Sequence, residues 1–194
     1  AHAFEGDDSI TAVALPKSVT TIGDKAFHYC ASLYSAMMNG VLTIGVGAFS
    51  GSKLNSIDLP EVQTIGVNAF YMSQVRNINL PKVQTIGDNA FRMSQVRDIN
   101  LPEVRSIGYS AFESCPLNSI VLGGKLEYIG SNAFALSTVS GGIQSVICYG
   151  TTCPQYGHIL FDGSCPALIV PKDYDSGYKQ WLKDGWVLCI CPIL

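Results

Sequence analysis

Residues 75–102 read VRNINLPKVQTIGDNAFRMSQVRDINLP, and the fold is decided by how this stretch returns to its own beginning. VRNINLP at 75–81 comes back as VRDINLP at 96–102, a step of 21 residues. Outward from there the same element is LNSIDLP at 54–60 and LNSIVLG at 117–123, with a weaker ITAVALP at 10–16 and a degraded LYSAMMN at 33–39. Between these copies Ile-Gly recurs at 22–23, 44–45, 65–66, 86–87, 107–108 and 129–130, in steps of 21 or 22. Four residues after each Ile comes Ala-Phe, ending in Phe27, Phe49, Phe70, Phe91, Phe112 and Phe134. A fixed period of this size is the signature of a solenoid. Residues 61–81 and 82–102 are near duplicates, the mark of a recent duplication.

The unit has a physical reading. Ile57 and Leu59 are two apart and share one face of a strand. Pro60, Pro81 and Pro102 end that strand because proline has no N–H for the ladder. A second extended run follows at Val62–Ile65, Gly66 permits a turn, and Asn-Ala-Phe is expected as a short helical or 3₁₀ turn with Phe inward. One unit cannot bury its apolar face, whereas stacked units share a continuous core. At about 4.8 Å per strand spacing, seven to eight coils give a rod of roughly 35–40 Å. The expected fold is a mainly β repeat solenoid.

The ends differ. Ala3-Phe4 followed by EGDDSI aligns with Ala26-Phe27 followed by HYCASL, so the chain starts inside a repeat. Terminal repeats need a polar cap, so a fragment or trimmed mature chain is expected; the alternative is that His2 to Asp8 cover the end. After Phe134 the period slips, with Ser137–Gly142 as an insertion and Ile143–Tyr149 as the last clear strand copy. Phe161 marks a divergent turn and Ala167–Val170 another strand. Tyr174, Tyr178, Trp181 and Leu182 fall on one face of a helix predicted over 173–184, with Asp173 as N-cap and Gly185 as stop. Trp186–Ile190 is expected as an edge strand. Residues 1–150 thus read as the repeat array, and 151–194 as a divergent last repeat with a cap.

Composition narrows the function classes. Of 194 residues, 47% are hydrophobic and 14% charged, which excludes disorder. No apolar run approaches the ~18 residues of a transmembrane helix, and no basic stretch leads into an apolar one as in a signal peptide. A net charge of −3 without a Lys/Arg cluster argues against nucleic acid as a partner.

The pattern LxxIxLPxVxxIGxxAFxxS, with Cys for Ser at 30 and 115, resembles the BspA-type leucine-rich repeat. The ending, VICYGTTCP and then CPALIVPKDYDSGYKQWLKDGW, is similar to that family's closing segment. The resemblance covers essentially residues 1–187. It implies a right-handed leucine-rich-repeat rod with a C-terminal capping helix. It also implies a surface or secreted protein of a host-associated bacterium, acting in adhesion, matrix binding or coaggregation. No family-wide catalytic residues exist to carry over. The central repeats of 21 are shorter than the family's usual unit, which alters curvature and leaves any borrowed ligand open.

Seven cysteines invite chemistry. Cys30 and Cys115 share a repeat position with Ser52, Ser73, Ser94 and Ser137 and read as buried fillers. Four repeats, roughly 19 Å, separate them, beyond the ~7 Å Cα reach of a disulfide. Cys148, Cys153, Cys165, Cys189 and Cys191 gather near the cap, where one disulfide is possible; the odd total leaves a thiol over. Cys189-x-Cys191 with Cys153 or Cys165 lacks the usual zinc spacing. A cysteine nucleophile needs a histidine partner, and His158 is near Cys153 and Cys165 in sequence only. His28 is expected to be a solvated residue on the position after Phe, with Ser50, Tyr71, Arg92, Glu113 and Ala135. No catalytic carboxylate pair and no glycine-rich phosphate loop is present, so no cofactor or metal and no enzymatic activity is expected.

The exposed columns are the candidate binding face. Ser56, Asn77, Asp98 and Ser119 form one, and Asp58, Asn79, Asn100 and Val121 the other, with Arg76 and Arg97 flanking. Such a face suits a host matrix or cell-surface protein; a glycan is the alternative, and a solvated sheet face kept polar against aggregation is the plain reading. Glu61, Lys82 and Glu103 alternate in sign and should help the coils stack. Tyr71, Arg92, Met72 and Met93 offer a second contact ridge. The expected function is a non-catalytic protein-binding or adhesion module, extracellular or on the cell surface, with end-to-end self-association open at the first coil near Phe4.

Overall fold

The structure, a computed structural model, describes residues 1–136, 142–158, 161, 167–174, 176–179 and 187–190. Each coil crosses three walls. The first wall carries β1 (Ala12–Ala14), β3 (Ser35–Met37), β5 (Ser56–Asp58), β7 (Asn77–Asn79), β9 (Asp98–Leu101), β11 (Ser119–Leu122), β13 (Ser145–Cys148), β15 (Ala167–Val170) and β16 (Val187–Ile190). The second carries β2 (Thr21–Ile22), β4 (Thr43–Ile44), β6 (Thr64–Ile65), β8 (Thr85–Ile86), β10 (Ser106–Ile107), β12 (Tyr128–Ile129) and β14 (Gln155–Tyr156). Every strand pairing among the described residues is parallel and joins one coil to the next. The second wall is one continuous sheet, whereas the first is split between β7 and β9.

The third wall is built of turns, and here the helical expectation fails. Positive φ recurs two residues before and two after each Phe from Phe4 to Phe134, as at Asn68 and Met72, Asn89 and Met93, and Gly47 and Gly51. The described turns contain no helical residue. In the coil of Phe70, the N–H groups of Ala69, Tyr71 and Ser73 donate to the carbonyls of Gly66, Asn68 and Phe70. Those of Asn68, Phe70 and Met72 donate to Asp88, Ala90 and Arg92 in the next coil. Alternate amides thus close turns and cross coils, so each donor from Asn68 to Ser73 is matched. Asn suits the first left-handed position because its short polar side chain tolerates that region.

The Ile-Gly glycine also has another job than expected. Gly66, Gly87 and Gly108 do not carry positive φ. A Cβ on them would lie 2.5–2.8 Å from the backbone of the preceding coil, so glycine is required for close approach.

The core follows the sequence pattern. Leu54, Ile57 and Leu59 of one coil and Leu117, Ile120 and Leu122 of another are buried, as are Val62, Val83 and Val104. Phe4, Phe27, Phe49, Phe70, Phe91, Phe112, Phe134 and Phe161 stack in a single column. Their centroids are 5.0–5.8 Å apart and neighbouring planes lie within 17°, a near-parallel stack within the centroid range of favourable aromatic pairs. Cys30 and Cys115 are buried as expected, and their thiols donate to the carbonyls of Phe4 and Phe91 in the preceding coils, each at 2.9 Å. The equivalent hydroxyls of Ser52 and Ser73 are buried without a partner.

Toward the C-terminus β15 and β16 continue the first wall where strands were expected. Half of the helix predicted over 173–184, residues 175 and 180–184, lies outside the described residues. Among its described residues Asp173, Ser176 and Gly177 are in turns, and Tyr178 and Lys179 alone are helical. Tyr178 is buried, and its hydroxyl donates to the carbonyls of Gly150 and Thr152 at 3.1 and 3.3 Å.

Phe91→Ala opens a hole in the middle of the ring column. It should cost about 3–5 kcal/mol, read as a lower denaturant midpoint with an unchanged slope.

Candidate binding faces

The first wall presents most of the predicted site residues together. Registers place Ser56 opposite Asn77 and Asp58 opposite Asn79, and Asp98 opposite Ser119 and Asn100 opposite Val121. Asp58, Arg76, Asn77, Asn79, Arg97, Asp98 and Asn100 are all exposed. Asn79 donates to the Asp58 carboxylate at 2.9 Å. Asn118 and Ser119 donate to Asp98 at 3.2 and 2.6 Å. The face is not the single flat sheet that the columns suggest. The ladder pairing is interrupted between β7 and β9, with Ser56, Asp58, Arg76, Asn77 and Asn79 on one side and Arg97, Asp98 and Asn100 on the other, while the Gln95 N–H still donates to the Val75 carbonyl between the two coils.

Charge is arranged unevenly. Lys82 pairs with Glu61 at 2.7 Å and Lys125 with Glu103 at 2.6 Å, so the alternating column holds as far as Lys125. Arg92 meets Glu113 at 3.2 Å and Arg105 meets Glu127 at 2.8 Å. Arg76 and Arg97 occupy one repeat position on consecutive coils, and among the described residues neither has an ion-pair partner. Like charges stacked this way repel.

The position after Phe is a correction. Ser50, Glu113 and Ala135 are buried there, and His28, Tyr71 and Arg92 are half-buried. His28 is not a free solvated side chain. Its Nδ1 lies 2.9 Å from Oε1 of Glu5, whose other oxygen meets His2, and its ring packs against Tyr29 with centroids 4.2 Å apart. The hydrogen bonds from His2 and then His28 hold the Glu5 carboxyl below its ordinary range.

The outward position is one residue further on. Tyr29, Met72, Met93 and Leu136 all sit there with positive φ, Met72 49% and Met93 44% exposed. A left-handed non-glycine residue costs about 1–2 kcal/mol, and a bulky one without buried contacts gains little in return. The strain belongs to the turn circuit, because the N–H groups of Met72 and Met93 donate to the Arg92 and Glu113 carbonyls of the next coil.

Cysteine chemistry is muted. Cys30, Cys115 and Cys148 are free buried thiols. Burial pushes Cys115 up to about 11 and Cys148 up to about 12, and it also raises Cys30. The thiolate is the nucleophile, so these thiols are inert near neutrality. Cys165 and Cys191, the side chain of Cys189, and Ser137 lie outside what is described. Among the described residues no group of three or more His, Cys, Asp and Glu is arranged to hold a metal, and no helix is long and apolar enough to cross a membrane.

A stacked parallel solenoid with a Leu-Ile-Leu-Pro strand and an Ala-Phe turn defines a leucine-rich-repeat protein. The family model "BspA type Leucine rich repeat region" matches residues 1–103 and 36–140, and the chain belongs to that family. Among solved structures it is similar to a leucine rich cell surface protein of Faecalibacterium prausnitzii, at 21% identity and TM-score 0.41 over 84% of this chain and 63% of that one. It is also similar to a leucine-rich repeat protein of Bacteroides ovatus, at 19% and 0.43 over 88% and 59%. A third is the pneumococcal vaccine antigen PcpA, at 14% and 0.38 over 95% and 69%. The chain thus spans about 60% of the length of the first two. No curated protein matches.

Two outcomes follow from these faces. Cys115 and Cys148 hold their protons in the folded state. Their contribution to stability is therefore complete below pH 9.0 and is lost as pH rises through about 11 and 12. Both thiols should resist a disulfide reagent at pH 8 until denaturant is added, and Cys115→Ala should soften the alkaline fall in melting temperature. Met72→Asn relieves left-handed strain at an exposed site and should raise stability by about 0.5–1 kcal/mol, read from thermal melts.

Proposed function

We propose that this chain is a non-catalytic protein-binding module of a bacterial cell-surface or secreted protein. Its binding face is the first wall, carried by Ser56, Asp58, Arg76, Asn77, Asn79, Arg97, Asp98 and Asn100. The observation that supports this most is the stacked pair Arg76 and Arg97. The neighbouring column alternates Glu61, Lys82, Glu103 and Lys125, and its partners are paired. On the binding face two guanidiniums are left exposed without a carboxylate, an arrangement that stacking alone disfavours. Arginine's planar fork takes carboxylates in a bidentate grip, so an acidic segment of a host matrix or cell-surface protein fits there. Asn77, Asn79 and Asn100 supply both donors and acceptors beside it. Repeat solenoids hold such columns in fixed register over several coils, which suits an extended macromolecular partner.

Binding of the isolated chain to immobilised matrix proteins tests this reading. Arg76→Ala with Arg97→Ala should lower affinity at least tenfold with an unchanged far-ultraviolet spectrum, and added salt should weaken the wild type more than the variant. Binding that survives both changes would move the function off this face.

A further inference from the structure

Beyond β9 the corner joining the first wall to the second grows with each coil. Leu59 to Thr64, Leu80 to Thr85 and Leu101 to Ser106 each span five steps; Leu122 to Tyr128 spans six and Cys148 to Gln155 seven. The registers nevertheless hold. Leu101, Leu122 and Cys148 are opposite one another, as are Ser106, Tyr128 and Gln155. An open cleft of about 750 Å³ lies along the two enlarged corners, lined by Arg105, Lys125, Glu127, Tyr128, Thr152 and Gln155. That volume falls within the ordinary range of small-molecule sites.

Close backbone contacts hold the cleft's shape. A Cβ on Gly123 would lie 1.9 Å from the Pro102 carbonyl oxygen, so only glycine fits there. Gly124 and Gly150 face each other across the two corners at ordinary contact distance, a Cβ on either lying 3.6–3.7 Å from the other's Cα. Tyr178 bonds the carbonyls of Gly150 and Thr152 from behind. Arg105 donates to Glu127 at 2.8 Å, and Lys125 is drawn to Glu103 at 2.6 Å.

We propose that this cleft binds a neutral carbohydrate, one or two pyranose units long. Tyr128, 44% exposed, offers a ring face of the amphipathic kind that packs against an apolar surface with its hydroxyl in water. Around it stand a carboxylate that accepts, a guanidinium that donates, and Thr152 and Gln155, which do both. Vicinal sugar hydroxyls need that mixture. A free anion would meet the Glu127 carboxylate, and an apolar peptide side chain would find no closed pocket. The site is separate from the arginine-bearing face and does not rest on it.

Titration calorimetry and saturation-transfer NMR with glucose, galactose, mannose, N-acetylglucosamine and their disaccharides test the proposal. At least one of these sugars should bind in the millimolar range or tighter. Tyr128→Ala and Glu127→Gln should each weaken it tenfold or more with an unchanged melting curve, and the Arg76→Ala, Arg97→Ala variant should bind it normally. Two results would overturn the assignment: no saturation transfer from any of these sugars, or binding indifferent to both cleft variants.

Discussion

Every coil must hand its backbone hydrogen bonds to the next, and this obligation governs the rest of the structure. Parallel strands discharge it on two walls. On the third, the chain alternates amides that close turns with amides that cross to the neighbouring coil. The alternation demands left-handed residues on both sides of Phe, places Ala and Phe inward, and fixes the spacing at which rings stack. Steps of 21 or 22 residues close this circuit in the central coils, and longer steps, 23 from Phe4 to Phe27 and 27 from Phe134 to Phe161, keep the rings stacked.

Much of this was legible in the sequence, because burial leaves a periodic trace. The Leu-Ile-Leu spacing gave the strand and its inner face, and Ala-Phe gave the ring column. The turn conformation was not legible, since Asn-Ala-Phe is compatible with a helical turn until the bonds across coils are known. Gly66 signalled punctuation, but whether it relieves a dihedral or an approach depends on the coil below. His28 departs from the solvated position expected of it for a similar reason. The residue after Phe turns back toward the rod, and the exposed position is the next one.

The site was legible in part. Alternation along β5, β7 and β9 put Asp58, Asn79 and Asn100 outside correctly. The split between β7 and β9 left no mark, as the two repeats are almost identical. The cleft did leave one: Gly123-Gly124 stands where earlier repeats have Pro followed at once by the charged residue. One inserted residue looks trivial in a sequence, yet two successive insertions at one corner displace a surface.

The charge column has a consequence for how such a rod changes length. Apolar contacts repeat every coil, so excising residues 82–102 would leave Phe70 facing Phe112 with its packing intact. The same excision would bring Glu61 against Glu103, because the ion pairs repeat every second coil. The molecule therefore carries two periods at once, one for its interior and one twice as long for its surface. Copies gained or lost in pairs keep both in phase, whereas a single copy preserves the core and frustrates the exterior.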